Sequence, residues 1–380
     1  MYFCESNMRH FNDNTWTALL ALVRLGMGHS TAQETARELP VVIPWEEVEE
    51  AAARHRLSAI VTDGILALEN EGLLEGRGPD MEIHDRFVVR TLQHYELKYE
   101  DYTKALARLA GFYDQNGFRM MILKGYGLSL NYPVPSHRPT GDFDIWTFGR
   151  HAEADAALEK LRHVRIDRSH HHHTVFYTRG YMVEHHYDFI EVYSHRSNAR
   201  FEKILKEWAP QDPLRIEVMG APVWLPNPDF NALFLLRHAA SHFAAVEIML
   251  RHVLDWGTFV TANYDSIHWD RVLKVLEQFG MTQFMACLNA ICIEDLGFDA
   301  SRFPTLPADP DLKRRVLQDI EVPEFDEPAP EGLLPVIRFK FRRWKANEWK
   351  QSLVFHENRF QLLLTQTWSH IIKPSSIAAK

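Results

Sequence analysis

Phe118-Arg119-Met120-Met121-Ile122-Leu123-Lys124-Gly125, followed after a proline-punctuated loop by Gly141-Asp142-Phe143-Asp144-Ile145-Trp146-Thr147-Phe148, is the stretch that decides the fold. The first run is apolar apart from Arg119 and closes on a glycine, which predicts a short buried strand. Residues 126–132 predict a short helix, stopped by Pro133 and Pro135. The run 143–148 predicts a second strand, entered through Gly141-Asp142. Beyond it, 152–161 is an alanine-rich helix, and 174–178 and 181–193 form two strands joined by an Arg179-Gly180 turn. A last strand pair is expected at 216–218 and 222–225.

Outward from this unit the pattern turns helical. Before it, apolar residues recur three and four apart, as in Leu57, Ile60, Val61, Ile65 and Leu68, and again from Leu92 to Leu109. After it, Asn227-Pro228-Asp229 opens a helix with a capping residue, a proline at the first helical position and an acid in the first turn. Helices are expected at 230–243, 248–261, 269–279 and 282–296, then a proline- and acid-rich linker at 322–331, then amphipathic helices at 334–352 and 355–372. The expected organisation is a helical region over residues 1–115, an α/β unit over 116–226 and a helical domain over 227–380. The fold class is α+β, a small mixed sheet flanked by helical regions.

The bulk numbers narrow the function. The chain has 380 residues, 46% hydrophobic and 24% charged, with a formal net charge of −9. An acidic chain of this kind does not advertise an extended nucleic-acid surface, which needs a dense Lys/Arg stripe. A local basic site for one nucleotide remains open. Cys4, Cys287 and Cys292 fit no zinc spacing, and their odd number argues against a disulfide framework. They read as reduced thiols of a cytoplasmic protein, with Cys287 and Cys292 in the core. The charged start of the chain is not a secretory signal, and no apolar run reaches the roughly 18 residues of a membrane span.

The chemistry lies in Asp142 and Asp144. Residues two apart on a strand share a face, so two carboxylates converge at one sheet edge. Like charges that close repel unless a cation lies between them. A divalent ion, Mg2+ or Mn2+, answers that conflict, and Mg2+ completes its shell with substrate phosphates. Glu184 is the best candidate for a third acid on a neighbouring strand, with Asp188 the weaker alternative. Lys124 and Gly125 are placed to cradle a triphosphate, because glycine admits close backbone approach and the following helix adds partial positive charge. Arg138, in the loop that delivers Asp142, is a candidate for a bidentate phosphate contact. The competing view of the pair is plain: Asp142 caps a turn and Asp144 is a solvated edge residue.

Leu123-Lys124-Gly125, Tyr132-Pro133, Arg138-Pro139 and Gly141-Asp142-Phe143-Asp144 together resemble the uncharacterised nucleotidyltransferase family of the polymerase-β-like superfamily. Val183-Glu184-His185-His186 is similar to that family's acidic strand, and His238-Ala239-Ala240-Ser241-His242-Phe243 and Leu254-Asp255-Trp256 to its helical segments. The resemblance implies a nucleotidyltransferase core, a metal-bound NTP, metal-binding roles for Asp142 and Asp144, and a third-acid role for Glu184. It does not name the acceptor. Tyr126 follows Gly125 where the wider superfamily places Gly or Ser, the Gly125–Asp142 gap is longer than the superfamily's, and His186 stands where an aromatic is usual.

Two other signals compete. His170-His171-His172-His173, with His185 and His186 further on, invites a zinc site in which His171 and His173 share a strand face and His185 joins from the next strand. The expectation is instead a solvated loop or strand start; in a third view, one of these histidines touches the nucleotide. His238 and His242, four apart on a helix, are expected to pack against the α/β unit. Trp344, Trp349, Phe355, Phe360 and Trp368 read as helix-packing residues, and Arg342-Arg343 and Lys345 as a solvated helix face. The functional expectation is transfer of a nucleoside monophosphate from an NTP to an unidentified small molecule, protein or RNA end. The alternative is a degenerate nucleotide-binding or protein-interaction module of the same fold, and a His-rich metal hydrolase is a third possibility.

Overall fold

The computed structural model describes residues 11–355, apart from 162, 163, 194, 326, 329 and 331. The expected helix at 355–372, Cys4, Phe360 and Trp368 therefore lie outside the described residues, Phe355 excepted. The fold is α+β, with one six-stranded mixed sheet among helices. The strands are β1 (Met121–Ile122), β2 (Phe143–Trp146), β3 (His173–Thr178), β4 (Tyr181–His186), β5 (Leu214–Val218) and β6 (Ala221–Leu225), in the spatial order β3-β4-β2-β1-β6-β5. The hairpins β3-β4 and β5-β6 are antiparallel, as is β1-β2, while β2-β4 and β1-β6 are parallel. Both hairpins turn through two residues of positive φ, Arg179-Gly180 and Met219-Gly220, which matches the twist of the flanking strands.

Each face of the sheet has its own cover. Phe143, Ile145, Val183 and Phe176 point into a core with Tyr102, Leu106, Leu109, Ala154 and Leu158 from the helices Leu97–Gln115 and His151–Glu159. Met121, Leu123 and Trp146 face the opposite way and join the larger core. That core runs without a break from the helices Asp13–Gly26 and Ser58–Asn70 to Pro228–Ala245, Leu250–Asn263 and Thr282–Ala290. The helical regions before and after the sheet thus share one hydrophobic interior. The helix Leu97–Gln115, placed before the expected boundary at 115/116, packs on the sheet.

Several elements differ from expectation for identifiable reasons. The first strand is shorter than 118–123, because the amides of Gly117 and Phe118 turn back to Asp114 and Tyr113 and finish the preceding helix. β4 stops at His186 instead of running to 193, because the amides of Tyr187 and Asp188 both donate to the His172 carbonyl. Helices Arg196–Trp208 and Pro310–Glu321 were not expected. The 334–352 helix is two, Leu333–Ala346 and Glu348–Phe355, parted at Asn347. Cys287 and Cys292 are buried as expected, and burial pushes the Cys287 thiol up to about 12. Arg343 lies over the Phe339 ring and Arg342 pairs with Glu327, which leaves the basic run as a helix face. Among the described residues no helix is long and apolar enough to cross a membrane.

Candidate functional site

The parallel register of β2 and β4 sets Asp144 directly beside Glu184, and Trp146 beside His186. Neighbours in register share a face, so Asp144, Glu184 and His186 converge on the side of the sheet that looks toward the helix Pro228–Ala245. Each offers a ligand atom within 4.8 Å of the other two. Asp144 is 3% exposed and anchored twice: Lys124 Nζ lies 2.9 Å from its Oδ1, and His186 Nε2 lies 3.2 Å from the same oxygen. Lys124 also donates to His238 Nε2 at 3.3 Å and stands over the Phe234 ring. The helix Pro228–Ala245 therefore closes the site from above, and His238 makes the polar contact with the α/β unit that its spacing implied.

The charges in this pocket are pulled apart. Burial works to raise the Asp144 carboxyl, but the Lys124 ammonium and the His186 hydrogen bond outweigh it and hold the group well below the carboxylate range. Burial and the charge of Asp144 push Glu184 the other way, up to about 7. Asp142 is half-buried just before β2, and burial followed by the charge of Asp144 raises it too. Asp142 lies outside the tight Asp144–Glu184–His186 set. Facing carboxylates whose charges oppose one another are a donor set that a hard divalent cation fits.

The turn that carries Lys124 is built by a steric constraint. Gly125 has φ +55°, and a Cβ there would fall 2.3 Å from the Tyr102 hydroxyl. That hydroxyl donates to the Asp142 carbonyl at 3.1 Å, so one buried tyrosine ties the Gly125 turn to the start of β2. The helix that follows, Tyr126–Ser129, is a single turn.

Arg138 does not reach toward this pocket. It is 4% exposed; its Nε and Nη2 donate to the two carboxylate oxygens of Asp255 at 2.7 and 3.0 Å, and its Nη1 donates to the Gly125 carbonyl at 3.1 Å. Tyr132 donates to the same Asp255 at 2.8 Å. The guanidinium that sequence offered for a phosphate is here engaged in a buried strut between the Gly125 turn and the helix Leu250–Asn263. The Asp188 carboxylate pairs with Lys206.

The histidine run is a loop that ends in a strand start, as expected, but its last residue is buried. His173 opens β3, is 7% exposed, and pairs in register with His186 instead of His185. His185 faces the opposite side, where its Nδ1 meets Asp155 at 2.7 Å and its Nε2 meets Thr147 at 2.9 Å. His172, His173 and His186 form a second group with ligand atoms within 4.8 Å of one another. Burial, reinforced by the neighbouring charges, lowers His172 to about 2 and His173 to about 3, so both rings are neutral at ordinary pH. His186 was not among the expected site residues. Its period-two spacing from Glu184 was the available signal, and a single departure from the expected aromatic obscured it.

No curated protein and no solved structure matches the chain. With a Lys124-Gly125 turn, an Asp142-x-Asp144 strand and Glu184 in register beside it, the chain belongs to the uncharacterised nucleotidyltransferase family, which matches it over residues 42–296.

Proposed function

We propose that this nucleotidyltransferase moves a nucleoside monophosphate from an NTP to an acceptor hydroxyl or comparable nucleophile, the acceptor oxygen bonding to the α-phosphorus as pyrophosphate leaves, with Asp142, Asp144 and Glu184 as its acidic residues. The observation that carries this reading is the in-register pair Asp144–Glu184, with Lys124 Nζ 2.9 Å from Asp144. Asp142, Asp144 and Glu184 would hold a divalent cation, Mg2+ or Mn2+, which withdraws charge from the phosphates being transferred. Lys124 balances Asp144 in the free protein and is the side chain nearest to hand for an incoming triphosphate. Glu184, in register beside Asp144, would either complete the cation's ligands or take the proton of the acceptor hydroxyl. Gly125 positions Lys124, and Arg138 with Asp255 stiffens the turn beneath it. Lys124 and Asp144 are largely shielded from solvent beside His238, so these charges act at short range. The acceptor is a small molecule, a protein side chain or an RNA end.

Incubation with α-labelled NTPs, Mg2+ or Mn2+ and cell extract tests the proposal. Label should pass to an acceptor with the wild type and fail to do so with Asp144→Asn. A second reading, a nucleotide-binding module without turnover, draws on Tyr126 after Gly125, where a bulky ring stands in place of a short serine hydroxyl that could hold phosphate. NTP binding that is lost in Asp144→Asn, with no label transferred by either protein, would favour the binding module.

A further inference from the structure

Next to the carboxylates lies a nitrogen-donor group that phosphoryl chemistry on Mg2+ does not call for. His173 and His186 are cross-strand partners in the β3-β4 hairpin, with ring centroids 5.4 Å apart. His172 precedes β3, and its carbonyl accepts the amides of Tyr187 and Asp188 at 3.1 and 3.0 Å, which fixes it against the end of β4. Its ring centroid lies 4.3 Å from that of His173 and 5.6 Å from that of His186. Three imidazoles thus converge on one point at the hairpin's edge, each with a nitrogen within 4.8 Å of the others.

Two features of this group point to a ligand. His172 Nδ1 and His173 Nδ1 are buried and have no hydrogen-bond partner among the described residues. Buried polar nitrogens are satisfied in nearly all folded proteins, because leaving one bare costs about 1–3 kcal/mol. Two such atoms beside one another at a sheet edge are an open donor set. His186 is also oriented as a metal ligand is. Its Nδ1 lies 3.1 Å from the Asp188 carbonyl, which can only accept, so Nδ1 carries a proton and Nε2 faces Asp144 and Glu184, where a bound ion would take the place of the Nε2 proton that bridges to Asp144. A backbone carbonyl on the far nitrogen of an imidazole is the usual device for aiming its other lone pair at a metal.

We infer that His172, His173 and His186 bind a borderline divalent transition ion of the Zn2+ class, with Glu184 placed to complete the set. Glu184 Oε2 lies 3.8 Å from His173 Nδ1 and 3.7 Å from His186 Nε2. Three imidazoles with one carboxylate suit Zn2+, Co2+ or Mn2+, whereas Mg2+ prefers oxygen ligands and gives up its water reluctantly. The site shares Glu184 and the pocket with the proposed transferase centre. The inference rests on that reading for its biological use but not for its existence, because ion binding is measured without nucleotide.

Metal-free protein titrated with Zn2+ by calorimetry, and with Co2+ by visible absorption, provides the test. The wild type should take one tight Zn2+ and, with Co2+, show the intense bands of four- or five-coordinate nitrogen ligation. His173→Ala and the pair His172→Ala/His173→Ala should weaken Zn2+ by more than the roughly 10–100-fold that loss of an orienting partner causes. His84→Ala, in the N-terminal helices where it pairs with Glu69, should change nothing. Asp144→Asn should abolish label transfer yet retain tight Zn2+, so a failed transferase reading and a failed metal site give different outcomes. The inference is overturned by a weak octahedral Co2+ spectrum in the wild type, which needs no variant to fold. It is equally overturned if Zn2+ affinity follows Asp144 and ignores His172 and His173.

Discussion

Arg138 and Asp255 form a two-pronged buried ion pair, Nε to Oδ1 at 2.7 Å and Nη2 to Oδ2 at 3.0 Å, that joins the loop before β2 to the helix Leu250–Asn263. Because Arg138 also holds the Gly125 carbonyl, one side chain links the turn under the candidate site to the C-terminal helices. Removing one member of a buried pair leaves the other charge uncompensated, at about 3–5 kcal/mol. Arg138→Ala should therefore lower the unfolding free energy measured by urea denaturation by that amount, and Asp255→Asn by a similar one. If Arg138→Ala left stability intact and only weakened NTP binding, the strut assignment would be wrong and the guanidinium would belong to the phosphates after all.

Gly125 and Tyr102 form a second coupled pair. With φ at +55° and the Tyr102 hydroxyl 2.3 Å from a virtual Cβ, Gly125→Ala suffers both backbone strain and overpacking. The first costs about 1–2 kcal/mol and the second about 1–3 kcal/mol. Tyr102→Phe alone loses the bond to the Asp142 carbonyl, about 1 kcal/mol. In the double variant the nearest remaining ring carbon is 3.5 Å away, so the overpacking share should be recovered. A double-mutant cycle by chemical denaturation reads this directly. Strictly additive losses would mean that the hydroxyl does not crowd the turn.

These two pairs also show where sequence patterns were enough and where they were not. Alternation along β2 placed Asp144 on one face and Phe143 and Ile145 on the other, and the Arg179-Gly180 turn set the hairpin that carries Glu184. Local rules also located the helix start at Asn227, whose side chain accepts the Phe230 amide. Pairings between distant segments carry no local signature. Arg138 reads as a free cation until Asp255, 117 residues on, is folded against it. Lys124 reads as a phosphate contact, and nothing in the sequence announces that its Nζ also rests on Asp144 and His238. The helix Arg196–Trp208 escaped because Phe201, Ile204, Leu205 and Trp208 are set among charges in a segment without a capping residue. His186 was legible only as a mismatch, since its partner His173 comes from a register that the turn fixes and composition does not.

The acidic residues make different demands on catalysis and on structure. If Asp144 and Glu184 act as proposed, Asp144→Asn and Glu184→Gln each remove an oxygen donor from the cation and should slow label transfer by about 10³-fold, or about 4 kcal/mol. Asp142→Asn should act in the same direction. Asp188→Asn should leave transfer unchanged, because that carboxylate pairs with Lys206. Single-turnover transfer with each variant ranks them. A rate for Asp188→Asn as low as that for Glu184→Gln would move the third acid from β4 to the loop after it.

His55 predicts how the fold responds to acid. It is 1% exposed, its ring meets Trp16 edge-on, and its Nδ1 accepts the Leu250 amide at 3.2 Å, so it ties the N-terminal helices to the C-terminal ones in its neutral form. Burial, aided by the Arg54 charge, lowers it from 6.5 to about 3. In that interval the unfolded chain binds a proton that the folded chain refuses, so stability is fully present above about pH 6.5 and falls as the pH drops toward 3. Each pH unit well inside the window removes about 1.4 kcal/mol through this residue. His55→Asn keeps an acceptor near the Nδ1 position and has no group that titrates there. Urea midpoints measured from pH 7.5 down to 4.5 should therefore fall less steeply for His55→Asn than for the wild type, with the two curves converging at the acid end. Parallel curves would show that His55 is protonated in the folded state and that its bond to Leu250 is not the acid-sensitive joint.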